Sequence, residues 1–255
     1  MKLALAGWAI NRRFRREDNP LTLLEFPRVV REEFGLEAAE LNNPWLVSHE
    51  DDYLQALAQA GKDAGVAYLG MAVDGTGDLS VLDEAQRKQH VANARAYFDV
   101  AEKLGLAYFR VNTGGGDDAT EANLEQCIQS FSELAAEGEQ RGIQIATENH
   151  GGLSRTPESM VKLVRGVNSP AMATLPDWGN FEESILLEGI RMIMPWAANC
   201  HVKWTRRDGT RRDLAPFVAM AEEMGFDGYL CIEDGGPTDD HQGVLELKAA
   251  LEALV

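Results

Sequence analysis

Only three of the 255 residues are cysteine, Cys127, Cys200 and Cys231, and they lie far apart in the chain. An odd, scattered set builds neither a disulfide framework nor a thiolate metal site. Basic residues are scarce beside acidic ones, 24 against 41, for a formal net charge of −17. That balance argues against a nucleic-acid partner, because phosphate backbones are held by clustered Lys and Arg. The basic residues that do cluster are Arg12, Arg13, Arg15 and Arg16, and then Arg206, Arg207, Arg211 and Arg212. No apolar run reaches the roughly 18 residues that a membrane-spanning helix needs, so no membrane association is expected. The opening Met1–Gly7 is too short for the apolar region of a signal peptide. These absences lead to the expectation of a soluble, cytoplasmic protein.

What is present is ordinary globular composition, 45% hydrophobic and 25% charged, enough to bury a sizeable core. Short apolar runs alternate with long amphipathic ones in eight rounds. The predicted strands are Lys2–Gly7, Ala38–Asn42, Ala67–Val73, Tyr108–Thr113, Gln144–Asn149, Met172–Asp177, Ala198–Lys203 and Tyr229–Glu233. The predicted helices are Thr22–Phe34, Asp51–Ala64, Asp83–Leu104, Glu121–Arg141, Thr156–Val167, Glu182–Met194, Leu214–Met224 and Asp240–Leu254. Glycines stand where helices should stop: Gly35, Gly61 or Gly65, Gly105, Gly142 and Gly225. Thr156-Pro157 reads as an N-cap followed by Pro at the first helical position. Eight strand–helix units over residues 1–255 predict a single-domain (β/α)₈ TIM barrel of the α/β class. The competing doubly wound sheet usually carries a glycine-rich phosphate turn after its first strand. Gly7-Trp8-Ala9-Ile10-Asn11-Arg12 lacks that fingerprint. Gly114-Gly115-Gly116 has no following Lys-Ser or Lys-Thr, so it is not read as a phosphate loop.

Four polar residues stand at or near the ends of the last four predicted strands: Glu148, Asp177, His201 and Glu233. They are separated by about one strand–helix unit each, roughly 30 residues. They therefore sit on consecutive strands, at the barrel end where active sites form. One such carboxylate reads equally well as a helix N-cap or a salt-bridge partner. Four together on neighbouring strands read as a site for one divalent metal. Oxygen donors with one imidazole suit Mn²⁺, Mg²⁺, Co²⁺ or Zn²⁺. Three carboxylates around one dication call for a balancing positive group, and Lys203 and Arg206 are the candidates. Lys203, two residues past His201, faces the same way along a strand.

The segments Glu148-Asn149-His150-Gly151-Gly152, Leu175-Pro176-Asp177-Trp178-Gly179-Asn180, His201-Val202-Lys203 and Ile232-Glu233 resemble the sugar isomerase/epimerase superfamily. So does Ala39-Glu40-Leu41-Asn42 at the end of the second strand. This is the xylose isomerase-like TIM-barrel group, with ketose 3-epimerases, hydroxypyruvate isomerase, inosose dehydratase and endonuclease IV. The resemblance implies that Glu148, Asp177, His201 and Glu233 hold a single metal, with Mn²⁺ the first expectation. It also implies that Glu148 and Glu233 form the acid/base pair. Many relatives carry a His three residues after the Asp, where this chain has Asn180. Endonuclease IV uses additional His ligands for three zincs. Here Met71-Ala72-Val73-Asp74 and Val111-Asn112-Thr113 end their strands without one, which argues against a nuclease. Family members are often dimers or tetramers, so a homo-oligomer is within the expectation.

The chemistry such a site suggests is proton removal next to a carbonyl. A metal stabilises the enediolate charge as a Lewis acid, and a positioned glutamate moves the proton. The expected substrate is a small sugar or a polyol-derived carbonyl compound. The expected activity is isomerisation or epimerisation, with a lyase or dehydratase on a keto-sugar or keto-inositol as the alternative and a non-catalytic sugar-binding barrel as the third reading. Trp8, Asn42, Asn112, His150, Trp178, Asn180, Lys203 and Arg206, all at or just past predicted strand ends, are the candidate substrate-binding residues. Asn and His can bond sugar hydroxyls, and Trp can cover an apolar sugar face.

Overall fold

The computed structural model describes residues 1–255. Each of the eight apolar runs forms a parallel strand: β1 Lys2–Ala6, β2 Ala38–Asn42, β3 Ala67–Val73, β4 Tyr108–Val111, β5 Gln144–Glu148, β6 Met172–Leu175, β7 Cys200–Val202 and β8 Tyr229–Ile232. The hydrogen-bonded order runs β6-β5-β4-β3-β2-β1-β8-β7. Parallel bridges Thr174↔Ala197 and Asp177↔His201 join β6 to β7 and bring the ring to near closure. The seam is irregular for a reason. Pro176 has no N–H to donate to the ladder, so it contributes only its carbonyl, which accepts from His201 N at 2.9 Å.

The helices are α1 Asn11–Phe14, α2 Phe26–Glu32, α3 Asp51–Ala64, α4 Glu84–Arg95, α5 Tyr97–Leu104, α6 Glu121–Arg141, α7 Pro157–Val167, α8 Leu186–Ile193, α9 Ala215–Glu223 and α10 Asp240–Glu252. None is long and apolar enough to cross a membrane. The single helix expected over Asp83–Leu104 is two, divided at Ala96. The one expected from Thr22 starts at Phe26, because Glu25 Oε2 accepts from Thr22 N and Oγ1 (3.1 and 2.8 Å) and holds a turn there. Gly65, not Gly61, ends α3. Gly65 is left-handed, with φ +66°, which a residue with a Cβ adopts at a cost. Thr156 caps α7 and Pro157 opens it, as the sequence predicts.

One large cluster of 57 buried apolar residues fills the layer between strands and helices. Inside the ring the packing differs. Two small clusters, Ala4, Ala6, Ala38 and Cys231, and Tyr108, Ala146, Ala173 and Leu175, line the lumen. Strand alternation sends residues of one parity inward, and five of the eight in these two clusters are alanine. Small side chains leave room for a few long polar ones from neighbouring strands. Those polar chains form the site.

Candidate metal centre

Glu148 is the last residue of β5, His201 lies in β7, and Asp177 and Glu233 follow β6 and β8 by one or two residues. All four are buried, at 2%, 0%, 0% and 6% exposure for Glu148, Asp177, His201 and Glu233. One donor atom from each lies within 4.8 Å of the others. The backbone fixes this grouping. Asn149 clamps the turn after β6 from both sides: its Nδ2 donates to Asp177 O (2.9 Å) and its Oδ1 accepts from Asp177 N (2.7 Å). Asp177 Oδ1 accepts from Gly179 N at 2.7 Å, which turns Oδ2 toward the cluster. Asp234 accepts from Thr205 N (2.7 Å) and Gly236 N (2.8 Å), tying the loop after β8 to the loop after β7.

The electrostatics are dense. His201 Nδ1 lies 3.2 Å from Glu233 Oε2 and 3.4 Å from Glu148 Oε1. Lys203 Nζ bridges Asp177 Oδ2 (2.6 Å) and Glu233 Oε2 (2.8 Å). Arg110 Nε lies 3.1 Å from Glu148 Oε2, and its Nη1 donates to Asp74 Oδ1 at 2.7 Å. Burial works to raise every carboxyl here, and the cations decide which resist. Against burial, Arg110 holds Glu148 down to about 2. Against burial, His201 and then Lys203 keep Glu233 well below the usual carboxylate range. Burial wins at Asp177, pushed up to about 8 despite Lys203. Burial would lower His201, but Glu233, Glu40 and Glu148 hold it well above its ordinary value.

These residues fit a divalent cation. Glu148 Oε2, Asp177 Oδ2 and Glu233 Oε2 are buried without a well-aligned hydrogen bond, faced only by the ionic contacts above. Four buried carboxyls, counting Glu40, face two permanent cations, Arg110 and Lys203, and one imidazole. A divalent cation takes carboxylate oxygens and one imidazole nitrogen readily.

The other expected residues divide. Lys203 and Asn180 are in the cluster: Asn180 Nδ2 donates to Glu148 Oε1 at 3.1 Å. Asn112 stands beside it, donating to Asp74 Oδ1 at 3.0 Å. Asn42 is buried with its Oδ1 unpartnered, facing Gly7. Trp8 is half-buried under Arg15, whose guanidinium lies 4.9 Å from the ring. Three expectations need correction. Trp178 is fully buried in the core cluster and stacks on Phe217 at 5.4 Å, so its ring is packing, not pocket wall. His150 is exposed, because β5 ends at Glu148 and the alternation that would aim it inward ends there too. Arg206 pairs with Glu183 at 3.4 Å, so the charge balance falls to Lys203 and Arg110 instead. Arg110, Glu40, Tyr108 and Asn149 were missed. The signal for the first three was polarity inside an otherwise apolar strand.

A family model described as the xylose isomerase-like TIM barrel matches residues 30–254. The chain belongs to that family. Several solved structures superpose on nearly its whole length. A D-tagatose 3-epimerase-like protein does so with TM-score 0.79 and 18% identity, over 100% of this chain and 98% of that one. The IolI protein with a bound zinc atom gives TM-score 0.79 and 16% identity, over 100% and 98%. The 3-keto-D-glucoside 4-epimerase from E. coli gives 0.78 and 15%, over 99% of each chain. At these identities the shared property is the fold. No curated protein sequence matches the chain.

Proposed function

We propose that this xylose isomerase-like barrel is a metal-dependent isomerase or epimerase of a small sugar or related polyhydroxy carbonyl compound. The observation that carries the proposal is the buried group of Glu148, Asp177, His201 and Glu233, whose donor atoms lie within 4.8 Å of one another. The sugar epimerases among structures of the same fold support the substrate class. A divalent metal held by these four residues, Mn²⁺ first among Mn²⁺, Mg²⁺, Co²⁺ and Zn²⁺, would act as a Lewis acid on the substrate carbonyl and a neighbouring hydroxyl.

The rest is the chain's own work. Glu148 and Glu233 are both held ionised, each by a different cation, so either can take a proton from the carbon next to a carbonyl. One removes the proton and the other serves the second face or the second carbon. Asn180 and Asn112 supply amide groups beside the cluster for sugar hydroxyls. The free, buried thiols suit a reducing cytoplasmic compartment.

The test is exchange in D₂O. Metal-loaded protein incubated with a panel of ketoses should incorporate deuterium next to the carbonyl, followed by NMR. Glu233→Gln should lower that exchange about 10²–10⁴-fold while the chain still folds. Exchange near wild type in Glu233→Gln removes its acid/base role. A product one water lighter than the substrate assigns a dehydratase instead.

A further inference from the structure

Glu40 is a carboxylate in the middle of β2, 0% exposed, inside the lumen. A charge buried there carries a large desolvation penalty, and an apolar residue would pack as well. It has two partners from strands that are not its neighbours in the sheet. Its Oε1 lies 2.7 Å from His201 Nε2 on β7. Its Oε2 accepts from the Tyr108 hydroxyl on β4. Tyr108 is 1% exposed, and room for its ring is made by β3. A Cβ at Gly70 would lie 2.5 Å from that ring, so only glycine fits there. The other imidazole nitrogen, Nδ1, faces Glu233 and Glu148 at 3.2 and 3.4 Å. The ring thus has one nitrogen toward the carboxylate cluster and one toward Glu40.

We propose that Glu40 and Tyr108 are a positioning relay for His201. Glu40 accepts the Nε2–H, so that when a metal is held the Nδ1 proton is the one lost and the Nδ1 lone pair faces the cluster. Tyr108 donates to the second Glu40 oxygen and fixes the carboxylate plane. Glu40 also makes the imidazole a stronger donor, as carboxylates behind metal-binding histidines do. This rests on the metal-centre reading and adds residues that do not touch the metal. A bare strut between β2, β4 and β7 is the competing role, and it predicts a different pattern.

The experiment uses the full chain as wild type, Glu40→Gln, Glu40→Ala and Tyr108→Phe. Mn²⁺ binding is followed by EPR, the Co²⁺ form by its visible absorption, and the metal-free proteins by thermal unfolding. Glu40→Gln keeps an acceptor for Nε2–H but loses the charge, so Mn²⁺ affinity falls about tenfold. Glu40→Ala loses both, and affinity falls about 100-fold. Tyr108→Phe weakens it only a few-fold. The Co²⁺ bands change in Glu40→Gln while its metal-free Tm stays close to wild type. Wild-type affinity and an unchanged Co²⁺ spectrum in both Glu40→Gln and Tyr108→Phe would overturn the relay and leave a strut. If the Glu40 variants do not fold, Tyr108→Phe, which removes one hydroxyl, decides alone. A wild-type protein that binds none of Mn²⁺, Co²⁺, Mg²⁺ or Zn²⁺ removes the metal centre, and the relay with it.

Discussion

The two halves of the barrel contribute to the centre in different ways. Strands β5–β8 present Glu148, Asp177, His201 and Glu233 at or just past their C-terminal ends. Strands β2 and β4 present Glu40, Tyr108 and Arg110 from within, on inward-facing positions of the lumen. One half offers the candidate ligands and, in Asn149 and Lys203, part of what holds them, and the other adds the groups behind Glu148 and His201. Two contacts lock the halves together: Arg110 to Glu148 at 3.1 Å, and Glu40 to His201 at 2.7 Å. The division follows from geometry. A strand end leads into a loop with space for a metal or substrate, while a residue deeper in the lumen meets only other side chains.

The comparison is broken most directly on the ligand side. Glu148→Ala and Asp177→Ala should each reduce bound metal from about one per chain to near zero, a larger loss than the 10–100-fold typical of supporting residues. Elemental analysis after reloading with each metal measures it. Retention of one metal per chain in both variants would move the centre elsewhere. On the supporting side the expected loss is stability. Arg110→Met leaves the buried Glu148 without its guanidinium. Breaking a buried pair from one side costs about 3–5 kcal/mol, readable in urea unfolding of the metal-free chain. A loss below about 1 kcal/mol would mean that Arg110 serves Asp74 rather than Glu148.

pH tests the same centre, because neighbouring carboxyls in it shift in opposite directions. Glu148 is held at about 2 against its ordinary 4.5. Its contribution to stability is complete above 4.5 and is lost as pH falls through about 2. Asp177 is raised from 3.8 to about 8, so the folded metal-free chain binds the extra proton. Its contribution to stability therefore falls as pH rises from 3.8 to about 8. A metal must displace that proton. Metal affinity should rise with pH up to about 8, by about tenfold per unit for the Asp177 proton and more steeply where His201 gives up its own. Titration calorimetry in buffers of different ionisation enthalpy counts the protons released. Affinity that does not change between pH 6 and 8 would mean that Asp177 is ionised before the metal arrives.

The convergence of Glu148, Asp177, His201 and Glu233 was readable in the sequence, and the residues behind them were not. Glu148, Asp177, His201 and Glu233 each stand at or near the end of a predicted strand, and the strand–helix rhythm alone gives their order around the ring. Glu40 and Arg110 sit inside Ala38-Ala39-Glu40-Leu41-Asn42 and Tyr108-Phe109-Arg110-Val111, where alternation says only that they face one side. Their partners lie on other strands, Glu40's 161 positions away at His201, and no local pattern carries such a pairing. The same limit explains Trp178 and His150. Distance from a strand end says that a residue is near the site, but not whether the chain there still alternates or has turned. Ala96 divides α4 from α5 with no Gly or Pro to mark the break.

Asn180 belongs to neither half and should matter least. It is half-buried, donates to Glu148 Oε1 at 3.1 Å, and lies 3.4 Å from Lys203 Nζ. Glu148 already has Arg110 and the His201 ring beside it. Asn180→Ala should therefore cost about 1 kcal/mol, the net worth of one hydrogen bond, and change metal affinity only a few-fold. If it takes part in catalysis, it does so through substrate hydroxyls, and its loss should appear in KM before kcat. A drop in metal affinity as large as that of Asp177→Ala would place Asn180 among the ligands. The boundary between the half that binds and the half that supports would then have to be redrawn.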